Sequence, residues 1–188
     1  MSETPRDPAA GRSDAQGAGS ADPFGALGLP QRFEIADEEI DRAWRAAASR
    51  CHPDRFIDPV AREQAAREAA RLNAARAVLR DPLERAEALL GLQGIRWGGS
   101  GAGSAPAFLL EMLELRQELA AQAEAGDLAG CRRLAAAAEG AVAERLAAVS
   151  ELLAGEISGE GLERVREQLG ACRYLRRFSE EARLAGRR

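Results

Sequence analysis

The 188-residue sequence predicts an all-α protein: an N-terminal helical hairpin with short flanking helices, joined to a C-terminal three-helix bundle. Three observations carry that reading. Apolar side chains recur every three to four residues, and no stretch alternates with the period of two that a half-buried strand requires. Asp22-Pro23, Asp58-Pro59 and Asp81-Pro82 stand where helical patterns begin, pairing a capping carboxylate with a proline whose missing N–H costs nothing in a first turn.

Of residues 1 to 21, 13 are Ala, Gly, Ser or Pro, too little apolar surface to offset the entropy of ordering, so they are expected to be a disordered tail. Order is expected from Asp22, where Phe24, Leu27 and Leu29 supply the first large side chains before Gly28 and Pro30 end any helix. Asp37 then reads as an N-cap with Glu38 and Glu39 in the first turn, opening a helix that should reach about Cys51. Ile40, Trp44, Ala47 and Cys51 fall on one face of it, with Arg42, Arg45 and Arg50 around the other. His52-Pro53-Asp54 interrupts the pattern, since proline disfavours a helical conformation in the residue before it.

A second long helix should run from Asp58-Pro59 to about Arg80 through Ala65, Ala69, Leu72 and Leu79. A shorter one follows Asp81-Pro82 through Leu83, Ala86, Leu89 and Leu90, closed by Gly91 to Gly94. Residues 97 to 106 are Gly- and Ser-rich and read as a linker between a first module (22–96) and a second (107–188). It leaves their relative orientation open. Three helices are predicted beyond it, about 106–125, 127–154 and 160–185, and their short connections favour an antiparallel bundle.

Composition narrows the function. All 26 basic residues are arginine, and the chain has no lysine and one histidine, which removes Schiff-base and P-loop lysine chemistry. A net charge of -4 is the opposite of a nucleic-acid footprint, and no apolar run approaches the ~20 residues of a membrane span. Cys51, Cys131 and Cys172 are widely spaced and form no C-x-x-C pair, so neither a disulfide framework nor a zinc ribbon is indicated. No metal and no cofactor is expected. A cytoplasmic, monomeric protein without a secretory signal fits best.

His52-Pro53-Asp54 is the sharpest local feature. Alone it would be a turn, but it lies between two amphipathic helices, with an arginine-bearing face upstream and Arg55-Phe56 downstream. A rigid loop carrying an imidazole and a carboxylate beside a positive face suits docking to an acidic partner surface. Catalysis is the poorer reading, because no Ser or Cys nucleophile and no second histidine accompanies His52.

Residues Asp22-Pro23-Phe24 to Leu29-Pro30, His52-Pro53-Asp54-Arg55-Phe56, Leu72-Asn73-Ala74-Ala75 and Asp81-Pro82-Leu83-Glu84-Arg85-Ala86-Glu87-Ala88-Leu89-Leu90 together resemble HscB, the J-domain co-chaperone of iron-sulfur cluster assembly. The resemblance continues through Ala107-Phe108-Leu109-Leu110-Glu111-Met112-Leu113-Glu114-Leu115-Arg116-Gln117-Glu118-Leu119 and covers about residues 22 to 185. It implies that the first module is a J domain docking on an HscA-type chaperone of the seventy-kilodalton heat-shock class and stimulating its ATPase. The ATP site would then belong to the partner. His52, Pro53 and Asp54 carry over directly, with Arg42, Arg45, Arg50 and Arg55 as supporting contacts. The absence of cysteine from residues 1–50 points to the bacterial type.

The helix after the linker has more apolar surface than one seam needs. Phe108, Met112, Leu115 and Leu119 form a core stripe, while Leu109, Leu110 and Leu113 lie about 100° to 180° around from it, beside Glu114 and Gln117. Either the first module packs over these leucines, or they form an exposed binding patch. The resemblance implies the latter, with Leu109, Leu110, Leu113, Glu114, Gln117 and, on the last helix, Tyr174 matching the surface that binds the IscU-type scaffold protein. Tyr174 stands for a phenylalanine, Gln117 for a common glutamate and Ala121 for a common arginine. The rival expectations are a J-domain protein serving another client and a purely structural helical protein.

Overall fold

The computed structural model describes residues 22–52, 56–95, 106–155 and 159–187. Among them are seven helices and no strand: α1 (Pro23–Leu27), α2 (Asp37–Ala48), α3 (Pro59–Arg80), α4 (Pro82–Leu92), α5 (Pro106–Glu124), α6 (Leu128–Leu153) and α7 (Gly159–Ala185). The expected tail at 1–21 and most of the linker fall outside the described residues.

The Asp-Pro pairs act as the sequence suggests. Asp22 accepts from the Phe24 amide at 2.9 Å, Asp58 from Ala61 at 2.8 Å and Asp81 from Leu83 at 2.9 Å, each with proline in the first turn that follows. Helix α2 departs from expectation at both ends. Asp37 is its first helical residue rather than its cap, and Ala36 occupies the cap without a side-chain bond. The helix ends at Ala48 rather than near Cys51. Beyond it Arg50 donates to Ala47 and Cys51 to Ala48, a tightening to three-residue steps that carries the chain into the loop.

Helices α2 and α3 form an antiparallel hairpin, shown by pairs running in opposite order: Asp37 with Arg80, Asp41 with Arg76 and Trp44 with Asn73. Trp44, expected on the buried face, is half-buried, because its indole N–H needs Asn73 Oδ1, 2.8 Å away at the surface of α3.

In the second half α6 and α7 are antiparallel, and α5 runs beside α7 in the same direction, with Phe108 against Tyr174 and Arg116 against Glu181. Phe108, Met112 and Leu119 of the predicted stripe are buried against Cys131, Ala135 and Ala138 of α6 and Leu175, Phe178 and Ala182 of α7. Leu115, from the same stripe, is only half-buried.

The two halves share a core, so the orientation that the linker left open is set by packing. Phe24, Ile40, Leu72, Leu79 and Leu90 of the first half lie in one apolar cluster with Val149, Val165, Leu169 and Cys172 of α6 and α7. Polar pairs also cross this seam. Arg173 Nε donates to Glu87 at 2.7 Å, Arg176 pairs with Asp81, and the Ser150 hydroxyl donates to Glu34.

Candidate functional site

Two surfaces, on different helices, hold the residues singled out by the sequence. The first is the tip of the α2–α3 hairpin. His52 is exposed just beyond α2; Pro53, Asp54 and Arg55 lie outside the described residues. Arg42, Arg45 and Arg50 are all exposed, and none has a carboxylate within salt-bridge distance among the described residues.

The division of labour between the arginines follows from helix geometry. Two arginines of α3 are used inside the hairpin: Arg76 bonds Asp41 at 2.7 Å with its guanidinium 4.4 Å from the Trp44 ring centre, and Arg80 reaches Asp37 and Asp41. The Arg76 bond holds the Asp41 carboxyl below the usual carboxylate range. Arg42 and Arg45 of α2 are exposed, and Arg45, one turn after Asp41, adds to the positive charge acting on that carboxylate. On the far side of the loop Arg62 Nε donates to the Phe56 carbonyl at 3.3 Å, tying the returning chain to α3.

The second surface is on α5. Leu109, Leu110 and Leu113 are 45, 58 and 53 % exposed, so the first module does not pack over them. Glu114 and Gln117 are exposed beside them. Tyr174 of α7 is half-buried against the core side of α5: its ring meets Phe108 edge-on, centroids 6.1 Å apart and planes at 66°. Phe108 is in turn covered by the Arg145 guanidinium, 5.2 Å from its ring centre. The arrangement is three exposed leucines on one helix, with the exposed side chains of Glu114 and Gln117 beside them. Such a surface can bind a partner by removing apolar area from water.

Sequence reasoning missed the pairs that fix one surface relative to the other, Arg173 with Glu87 and Arg176 with Asp81. It also missed that Arg85 is buried, although its position one turn before Leu89, next to Ala86, was a usable signal. Among the described residues no group of three His, Cys, Asp or Glu side chains is placed to hold a metal ion. None of the described helices is long and apolar enough to cross a membrane.

Residues 104–183 match the family model described as the HSCB C-terminal oligomerisation domain. The co-chaperone protein HscB homolog of Ralstonia nicotianae is 38 % identical over 141 residues, which is 73 % of this chain and 78 % of that protein. The HscB homolog of Bordetella petrii is 41 % identical over 101 residues, 52 % of this chain and 59 % of that one. Among solved structures, the chaperone HscB from Vibrio cholerae superposes with a TM-score of 0.71 at 31 % identity, covering 86 % of this chain and 95 % of the other. Human co-chaperone HscB superposes with a TM-score of 0.76 over 87 % of this chain and 81 % of its own, at 22 % identity, a likeness of fold.

Proposed function

The chain belongs to the HscB family of co-chaperones, and from that premise we propose that it serves iron-sulfur cluster assembly as an adaptor with two working ends. The first module, residues 22–96, docks on an HscA-type chaperone through His52, Pro53, Asp54 and the arginines at 42, 45, 50 and 55, and stimulates ATP hydrolysis there. The second, residues 107–188, binds an IscU-type scaffold protein through Leu109, Leu110, Leu113, Glu114, Gln117 and Tyr174 and delivers it. The residues between are the connection. The chain itself performs no bond chemistry.

The exposure of the three leucines carries this reading. A helix that buries Phe108, Met112 and Leu119 on one side and leaves Leu109, Leu110 and Leu113 in water on another has two apolar faces, and only one is used inside the molecule. At the other end an exposed arginine face suits a partner carboxylate surface, since the planar guanidinium fork pairs two-pronged with a carboxylate.

The test is the ATPase rate of the chaperone with this protein and the scaffold added separately and together. Stimulation by the protein alone, and more than additive stimulation with the scaffold, are expected. Asp54→Asn should abolish both. Replacing Leu109, Leu110 and Leu113 together by alanine should remove the synergy and leave stimulation by the protein alone. Full synergy from that triple variant would sink the scaffold assignment.

A further inference from the structure

Among the described residues the large apolar side chains left exposed are Leu109, Leu110 and Leu113 on α5, Leu184 near the end of α7, and Ile57 and Val60 where the chain returns from the hairpin tip into α3. Ile57 is 94 % exposed and Val60 62 %, the two highest values of that group. Neither belongs to an apolar cluster of the molecule.

Local geometry explains why Ile57 stays in water. Asp58 caps α3, its Oδ2 accepting from the Ala61 amide at 2.8 Å, so Ile57 is the residue before the cap. An apolar side chain in that position often packs on the fourth residue after the cap, which fixes the angle at which the chain enters the helix. Here that residue is Arg62, and its Nε donates instead to the Phe56 carbonyl at 3.3 Å. The backbone is therefore tied just before Ile57, at Phe56, and just after it, at Asp58, with Pro59 fixing the next φ. Ile57 has no internal cover and little freedom to turn inward.

The surroundings point to the occupant. Arg50 and His52 end the α2 side of the same tip, and Ile57 and Val60 begin its α3 side, at the end of the hairpin opposite the Asp37–Arg80 pair. An aliphatic knob beside exposed arginine is complementary to an acidic surface with an apolar recess. The two kinds of contact act differently: charge steers the approach, while a buried aliphatic anchor slows departure.

We propose that Ile57, with Val60 beside it, is the apolar anchor by which the hairpin tip holds the chaperone, entering a recess among the carboxylates that receive the arginines. This rests on the docking role proposed for the tip and adds the contact that sets how long the partner stays, separate from the stimulation assigned to Asp54.

The test is a titration of the full chain against the chaperone, read as ATPase rate at several salt concentrations. Ile57→Ser with Val60→Ser should raise the concentration for half-maximal stimulation about tenfold or more, as losing burial of an aliphatic side chain does, with the plateau rate and the salt dependence kept. Ile57→Val should stay within about threefold of the parent, and Leu184→Ser, which removes an exposed apolar side chain outside the tip, within about twofold. The proposal is overturned if Leu184→Ser raises the half-maximal concentration as much as the double variant does, or if the double variant lowers the plateau and leaves that concentration unchanged. It is equally overturned if sedimentation shows a dimeric parent and a monomeric double variant, since the occupant is then a second copy of this chain. A parent that gives no stimulation refutes the docking role and the anchor with it; a parent that stimulates, with a double variant that titrates identically, refutes the anchor alone.

Discussion

Arg176 of α7 grips Asp81 with both terminal nitrogens, Nη1 to Oδ1 at 3.0 Å and Nη2 to Oδ2 at 2.7 Å, across 95 residues of sequence. Asp81 also caps α4, its Oδ1 accepting from the Leu83 amide at 2.9 Å. One carboxylate therefore starts a helix in the first half of the chain and anchors it to the second. Asp81→Ala removes both functions and should cost about 1–2 kcal/mol in urea denaturation, a cap of ~1 kcal/mol plus a part-exposed ion pair. Arg176→Ala removes only the pair and should cost less than about 1 kcal/mol. In a double-mutant cycle the two should couple by about 0.5 kcal/mol or more; strict additivity would mean that the bond contributes nothing to holding the halves together.

Arg85 is the buried counterpart of that anchor. It is 7 % exposed, donates Nη1 to the carbonyls of Leu79 at 2.8 Å and Ile35 at 3.3 Å, and lies 5.2 Å from the Phe33 ring centre. Burial lowers its pKa, with Asp37, Glu34 and Asp81 acting against that fall. Its Nε is the one buried side-chain polar atom among the described residues without a hydrogen-bond partner. Arg85→Leu keeps the bulk but leaves two carbonyls short of a donor, and should destabilise the fold by about 1–3 kcal/mol. A variant as stable as the parent would show that water reaches those carbonyls instead.

The segment from Asp81 to Leu90 shows how far the sequence could be read. As letters it is a family signature; as structure its residues have separate tasks, with Asp81 capping, Leu83, Ala86 and Leu90 in the core and Arg85 tying the end of α3 to the loop at Ile35. The helices and the α5 core stripe were legible because period and capping are local properties. So was the free face carrying Leu109, Leu110 and Leu113, since a helix wheel needs only the sequence. The closure of the two halves was not. It depends on Val149, Val165 and Leu169 meeting Phe24 and Leu79 from far away in the chain, and nothing in a glycine-rich stretch records which faces will meet.

Neighbouring positions on α5 should separate stability from binding. Phe108 is buried between Tyr174 and Arg145, and Phe108→Ala should cost about 3–5 kcal/mol, as large-to-small core changes do. Leu109, Leu110 and Leu113 face water, and alanine at all three should shift stability by no more than about 0.5 kcal/mol per site. Circular dichroism melts with a scaffold pull-down distinguish the two classes. A large loss of stability in the leucine variant would mean that the patch is covered by the chain itself in solution.

The cysteines give a pH-dependent readout of the shared core. Cys172 is fully buried at the seam, and burial pushes its thiol up to about 11, whereas an unfolded chain would ionise it near the ordinary 9.0 of a thiol. Between those values the unfolded chain has lost a proton that the folded chain keeps, so unfolding is favoured as pH rises, by up to ~1.4 kcal/mol per unit and on the order of 2 kcal/mol by pH 11. Below pH 9 this group makes no contribution to the pH dependence. Cys172→Ala should therefore flatten the alkaline part of the stability profile relative to the parent while leaving neutral and acid behaviour parallel. Cys51 is half-buried and Cys131 fully buried, so iodoacetamide at pH 8.5 should label Cys51 first, and Cys131 and Cys172 only as fast as the bundle opens. Prompt labelling of Cys172 in the folded protein, or an unchanged alkaline slope in Cys172→Ala, would show that the halves part readily and that the seam is not the closed core described above.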